Sequence, residues 1–330
     1  MSISNSDKVL YEKILKNKAY EEYELWISNA ALNLKNIWDE DSASTLIPTN
    51  KSEDGKKFSI VIGKGPSINK KNHLKILSES NFRGAIICCD GKLIDTLNAG
   101  VTPEKFPDFY VVTVDPLQSI KQNYDHPIVK KFGKKIKAIF SIVSHPNAVN
   151  CAREAGMKIH WVHSLVDHNE GKKSFNYITS VMVRAKNHSN GLPAIQTGAN
   201  VGTSSWFVGW KILKCTNIAL IGINHGWEPD DPWDLILSHT LNNNVLPSEP
   251  IKIDKTTESF KKLFPKLYNP DLKSYFILDP IFQLYRNALL EFIERSPKWL
   301  TTYNATEGGS IFGNRVSNIR FLDFLQMAEK

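Results

Sequence analysis

The stretch Phe58-Ser59-Ile60-Val61-Ile62-Gly63-Lys64-Gly65-Pro66-Ser67 decides the fold. Five uncharged residues give way to a turn punctuated by two glycines and a proline, and the serine that follows can open a helix. An apolar run of this length, stopped by a glycine turn, fits a strand covered on both faces. Similar runs recur at Gly84 to Cys89, Phe109 to Val114, Ala138 to Ile142, Lys158 to Val162 and Ile218 to Gly222, with helix-length sequence between most of them. Six such strands predict an α/β protein with a Rossmann-like, doubly wound, mostly parallel sheet and helices on both faces.

Working outward, Lys8 to Trp38 carries apolar residues at spacings that fit a helical face, including Tyr11, Ile14, Tyr23, Trp26, Ala30, Leu34 and Ile37. Residues 39–57 are polar, hold Pro48 and Gly55, and read as a linker. Beyond Leu246 the strand signal fades; Phe282 to Ile293 reads as an amphipathic helix and Val316 to Met327 as a last one. The expected organisation is a helical segment and linker over 1–55, a nucleotide-binding core over 56–245, and a mainly helical segment over 246–330 that packs on the core.

The bulk properties narrow the class. With 330 residues, 42% hydrophobic and 23% charged, the chain can bury a sizeable core without metals or disulfides. Its four cysteines, Cys88, Cys89, Cys151 and Cys215, lack the spacing of a zinc or redox motif and are expected reduced. The polar N-terminus and the lack of a 20-residue apolar run predict a cytoplasmic protein with no membrane span. The net charge of +7 comes from scattered lysines. With no nucleic-acid reader motif beside it, that charge suits a small polyanion such as a nucleotide.

In an open parallel sheet, ligands bind beyond the carboxyl ends of the strands. The first end offers Gly63, Lys64, Gly65, Pro66 and Ser67, where glycines let backbone N–H groups approach an anion and Ser67 can cap a helix. The second and third offer Asp90-Gly91 and Asp115-Pro116, carboxylates able to accept from a ribose or base, with Asp115 also a ligand for Mg2+. Thr197-Gly198-Ala199-Asn200 precedes small residues and the helix-like Trp206 to Leu213, forming the second half of the anion site. The last end is Gly222-Ile223-Asn224-His225, so Asn224 joins the ligand-contacting set.

Two histidines qualify as general bases, since an imidazole titrates near neutral pH. His225 directly follows a strand, whereas His239 lies on a loop or lid that would have to fold inward. His160, His163, Asp167 and His168 cluster locally, but their spacing matches no metal motif, and no serine sits in a nucleophile elbow.

The ordered set Gly63-Lys64-Gly65-Pro66-Ser67-Ile68, Cys89-Asp90-Gly91, Val114-Asp115-Pro116, Thr197-Gly198, Ile221-Gly222-Ile223-Asn224 and Asn304-Ala305-Thr306-Glu307-Gly308-Gly309 resembles one family. This is the group of 6-hydroxymethylpterin diphosphokinase MptE-like proteins and motility accessory factors (Maf), related in fold to bacterial sialyltransferases that use CMP-sialic acid. The resemblance implies a nucleotide-dependent transferase. It puts Lys64, Asp90 and Asp115 at three asparagine positions of the sialyltransferase CMP pocket and Thr197-Gly198 at its second loop. His239 is the loose match to the general base.

Two chemistries remain open under that resemblance, and the third strand end separates them. The pterin diphosphokinases carry Thr-Asp-x-Asp-Gly there, a carboxylate pair for Mg2+-ATP; this chain has Thr113-Val114-Asp115-Pro116. One carboxylate is missing, so transfer of a CMP-activated nonulosonic (sialic-acid-like) sugar to a protein or glycan acceptor is favoured. The alternative is ATP-dependent 6-hydroxymethyl-7,8-dihydropterin diphosphokinase activity with Mg2+. A non-catalytic nucleotide-binding protein is the third reading.

Overall fold

The computed structural model describes residues 5–46, 55–166, 174–184, 190–242 and 256–329. Twelve strands occur among them: β1 Asp41–Ser42, β2 Phe58–Ile62, β3 Ala85–Cys89, β4 Phe109–Thr113, β5 Lys137–Ser141, β6 Lys158–Leu165, β7 Ala194–Gln196, β8 Asn217–Ile221, β9 Lys266–Asn269, β10 Ser274–Ile277, β11 Thr301–Asn304 and β12 Val316–Asn318. The main sheet runs β1-β6-β5-β4-β3-β2-β8-β11-β12, with β7 paired to β6, and β9 and β10 form a separate antiparallel pair. Every pairing in the main sheet is parallel. All its strands therefore end on one edge.

The near-continuous apolar runs are needed because both faces are covered. Ile60, Ile62, Ile86, Cys88, Val111 and Phe140 point into one apolar layer. Their neighbours Val61, Ile87, Tyr110, Val112 and Ile139 point into the other. The first layer is closed by helices Asn5–Asp39, His73–Glu79, Leu93–Asn98, Pro146–Glu154 and Phe321–Ala328, the second by Val201–Phe207 and Pro280–Glu294. At about 1.5–3 kcal/mol for each large apolar side chain buried, this double covering is the main favourable term of the fold.

From β2 the chain steps outward through β3, β4 and β5 to β6. It returns through helix Val201–Phe207 to β8, which pairs with the other side of β2 from Phe58↔Asn217 to Ile62↔Ile221. Strand order reverses between β2 and β8, so the crevice there is the place where this architecture receives ligands.

Several segments differ from their sequence reading. The expected linker contributes β1, whose Asp41 and Ser42 align with His160 and Trp161, and buries Ala43 and Leu46. Residues 47–54 of that interval, Asp167 and His168, and the 245/246 boundary lie outside the described residues. The C-terminal segment adds β11 and β12 to the main sheet, and Val316–Asn318 is a strand, with the final helix confined to Phe321–Ala328. These strands have only three or four residues, β11 alternating half-buried with buried positions and β12 fully burying none, so they lack the apolar runs that mark the central ones. Trp206 to Leu213 splits between an α-helix ending at Phe207 and a π-helical turn over Val208–Ile212.

Candidate functional site

At the switch point, β2 and β8 are locked together past their last residues. The Gly63 N–H donates to Ile221 O at 2.9 Å and the Gly65 N–H to Gly222 O at 2.8 Å. A Cβ on Gly63 would lie 2.4 Å from Gly222 O, and one on Gly65 would lie 2.1 Å from Asn224 Oδ1. Both glycines are thus required by the close approach of the two strand ends. Their N–H groups are engaged there and do not face an anion, contrary to the sequence expectation.

The donors lie elsewhere. Asn200 caps the helix Val201–Phe207 by accepting the Thr203 N–H at 2.8 Å, and the Val201 and Gly202 N–H groups complete that first turn. The approach to it is tight: Gly198 and Ala199 both have positive φ, 53° and 60°, and Thr197 Oγ1 accepts the Ala199 N–H. A Cβ on Gly202 would meet Ile223 Cδ1 at 2.7 Å, and one on Gly63 would meet the same atom at 2.3 Å. The first-strand turn and the first turn of helix Val201–Phe207 therefore converge on Ile223.

Asn224 is 3% exposed, and its Oδ1 accepts from Ser67 Oγ at 2.9 Å. Its Nδ2 is buried and has no hydrogen-bond partner. A Cβ on Gly308 would lie 3.2 Å from that nitrogen, so the loop after β11 also reaches the crevice. Pro66 is exposed at the rim.

One strand further, Asp90 is 5% exposed. It accepts from the Gly91 N–H at 2.6 Å and from Thr113 Oγ1 at 2.7 Å; that hydroxyl in turn lies 2.6 Å from Tyr124 Oη. Because Thr113 gives its single proton to Asp90, Tyr124 donates to Thr113, and a relay of hydroxyls holds the carboxyl. Burial pushes the Asp90 carboxyl up to about 6; the two hydrogen bonds oppose the rise, Asp115 adds to it and Lys64 opposes it. Lys64 is exposed and its Cδ passes 3.4 Å from where a Gly91 Cβ would sit, linking the first two strand ends.

Asp115 is half-buried and accepts the Leu117 N–H at 2.8 Å. Its loop is pinned from the N-terminal helix, where Asn29 Nδ2 donates to Pro116 O at 3.0 Å and to Val143 O at 2.9 Å. Burial, then the Asp279, Glu22 and Asp115 carboxylates, push the Tyr285 hydroxyl far up. Among the described residues no three His, Cys, Asp or Glu side chains form a metal-holding group.

The two histidines differ. His225, with φ of 41°, is 7% exposed and packs against Phe282 and Tyr285. Burial, helped by repulsion from Arg286, drives its imidazole down to about 3. His225, which the sequence offers as a base lining the site, is thus packed among aromatic rings, where its imidazole is a weakened base. His239 lies on helix Trp233–Asn242, its side chain 27% exposed, with Phe282 between it and His225. Its Nδ1 is 2.7 Å from Asp279 Oδ2.

A separate cleft of about 570 Å³ opens at the ends of β11 and β12, lined by Lys71, Asp271, Asn304, Glu307, Asn318 and Arg320 among others. Its polar groups largely satisfy one another, as Asn304 does with Asn318 and Asn318 with Asp271. The strand-end residues of the switch point do not line it.

The family described as 6-hydroxymethylpterin diphosphokinase MptE-like matches residues 28–230. The chain belongs to the MptE-like family. The match begins one residue before Asn29 and takes in the first four strand ends of the crevice and the β8 end, while His239 and Asp279 of this MptE-like protein lie beyond it. Among solved structures, the MAf glycosyltransferase from Magnetospirillum magneticum AMB-1 superposes with a TM-score of 0.53 at 14% identity. The likeness covers 91% of this chain and 38% of that one, and at this identity it shows a shared fold alone. This MptE-like chain thus spans well under half the length of that relative. No curated protein matches it.

Sequence reading missed Asp279, Asn29, Tyr285 and the Thr113–Tyr124 pair. Asp279-Pro280 is legible as a helix start, because aspartate caps and proline suits the first turn. Nothing in the sequence marks the second oxygen of Asp279 as a partner of His239.

Proposed function

We propose that this MptE-like protein is a nucleotide-dependent glycosyltransferase that uses a CMP-activated, sialic-acid-like sugar. The observation that carries the reading is the buried, unpartnered Asn224 Nδ2 beside the converging loops. A buried donor left unmatched costs about 1–3 kcal/mol, and a ligand oxygen at the switch point would remove that cost.

In this reading the nucleotide phosphate rests against the Val201 and Gly202 N–H groups and the Lys64 ammonium, which stabilise the departing CMP. Asp90 and Asp115 accept from ribose and base. His239 takes the proton of the acceptor hydroxyl as its oxygen attacks the anomeric carbon and the bond to the phosphate breaks.

The family description supports a second reading, ATP-dependent pyrophosphorylation of 6-hydroxymethyl-7,8-dihydropterin. The single carboxylate at the β4 end weighs against it, because phosphoryl-type transfer leans on metal-held phosphates. Turnover of CMP-activated nonulosonic acid, measured beside ATP with hydroxymethyldihydropterin and Mg2+, tests the order. CMP release from the sugar donor is expected; AMP release with the pterin and silence with CMP-sugars reverses it, and nucleotide binding without any turnover supports a non-catalytic role.

A further inference from the structure

Asp279 makes more contacts than its place at a helix start requires. Its Oδ1 accepts the Phe282 N–H at 2.8 Å, the ordinary N-cap of helix Pro280–Glu294. Its Oδ2 accepts from two other elements: Trp227 Nε1 at 2.7 Å, just past β8, and His239 Nδ1 at 2.7 Å, from helix Trp233–Asn242. The carboxylate is 0% exposed, and the His239 ring is wedged between Trp227 at 5.5 Å and Phe282 at 4.7 Å. An asparagine or serine would cap the helix equally well, so capping alone leaves the second oxygen unexplained.

A carboxylate has no proton to give, so both groups at Oδ2 must donate. The Trp227 indole can only donate, and His239 is thereby constrained to carry its proton on Nδ1. We propose that Asp279 is the positioning residue of the transfer, fixing the tautomer and ring orientation of His239 so that Nε2 is the basic nitrogen. This rests on the reading of His239 as the general base. When Nε2 accepts the hydroxyl proton, the new imidazolium sits 2.7 Å from a buried carboxylate that stabilises it, and the proton later returns to solvent.

The test uses the full chain and three variants. Asp279→Ser keeps a capping hydroxyl and removes the reach to His239; Asp279→Asn keeps size and replaces the carboxylate by an amide; Trp227→Phe keeps the ring and removes its N–H. Long-range 1H–15N correlation spectra, with His239 assigned through His239→Gln, should show the Nδ1–H tautomer in the wild type and in Trp227→Phe, and its loss in Asp279→Ser. CMP-sugar turnover in Asp279→Asn should fall about 10²–10⁴-fold in kcat while KM for the donor moves less than about 3-fold, the pattern of a misplaced tautomer. An unchanged His239 tautomer in folded Asp279→Ser, or full kcat in folded Asp279→Asn, overturns the assignment. If the wild type turns over no CMP-sugar, the transferase reading fails, and the spectra still decide what Asp279 does.

Discussion

Gly63 and Gly202, 139 positions apart in sequence, close on the same atom, Ile223 Cδ1. That one methyl group forms the seam where the β2 turn, the helix after β7 and the β8 end meet, so the size of both neighbours is fixed by it. Gly63→Ala would also press its new methyl against the Gly222 carbonyl, which is backbone and cannot swing away. A loss of about 1–3 kcal/mol is expected in urea unfolding. Gly91→Ala, which meets only the flexible Lys64 chain, should melt like the wild type; equal stability of all three proteins would refute the seam.

Asp90 gives stability a pH signature. Its folded pKa of about 6 lies above the ordinary carboxyl value of 3.8, so the folded state holds the proton more tightly. The ionised carboxyl therefore opposes folding fully above pH 6, and this penalty disappears as pH falls to 3.8. Asp90→Asn is expected to stabilise by up to about 3 kcal/mol at pH 7.5, with the gain vanishing near pH 4. A stability difference independent of pH would show that the carboxyl is not titrating in that window.

His225 acts in the opposite direction. With a folded pKa of about 3, below the ordinary imidazole value of 6.5, it takes a proton more readily when unfolded, so stability is lost as pH falls from 6.5 toward 3. Asparagine tolerates the positive φ at this position, and His225→Asn should remove on the order of 2–3 kcal/mol of that acid-side loss at pH 4.5. Parallel pH–stability curves for the two proteins would argue that the imidazole stays accessible.

The N-terminal helix is expected to matter to the third strand end. Asn29→Leu removes the donor shared by Pro116 O and Val143 O and should cost about 2–3 kcal/mol. It should also raise hydrogen-exchange rates at Leu117, whose N–H bonds to Asp115. A stable variant with unchanged exchange would mean that the Asp115 loop holds itself.

The proposed function sets the Lys64 ammonium against the nucleotide phosphate. Lys64→Ala should weaken CMP binding about 10-fold by calorimetry at low salt, with the gap narrowing as ionic strength rises. Equal affinity would move the anion away from the β2 turn.

The parts of the fold that could be read in advance were those whose residues are buried on both sides. Ile60 to Ile62, Ile86 to Cys89 and Val111 to Thr113 have no choice but to be apolar or internally bonded, and that shows in the sequence. Strands β1, β7, β11 and β12 were missed because they are short and partly exposed, and their membership comes from a neighbour's open edge. The crevice loops were legible as glycine turns, yet the reason for the glycines was not: Gly63 and Gly65 make room for another strand end. His225 and His239 looked equivalent as letters, and only burial against Phe282 and Tyr285, or contact with Asp279, distinguishes them.

The pairing of β2 with β8 has a consequence for synthesis. Phe58 must wait for Asn217, and Ile62 for Ile221, so the half of the chain that leaves the ribosome first carries an unfinished sheet. Until then the flank of β2 presents free amides and carbonyls next to some of the most apolar sequence in the molecule, a template for mispairing between nascent copies. The crevice between β2 and β8 is born at the same moment that this flank is covered, which ties its formation to escape from aggregation.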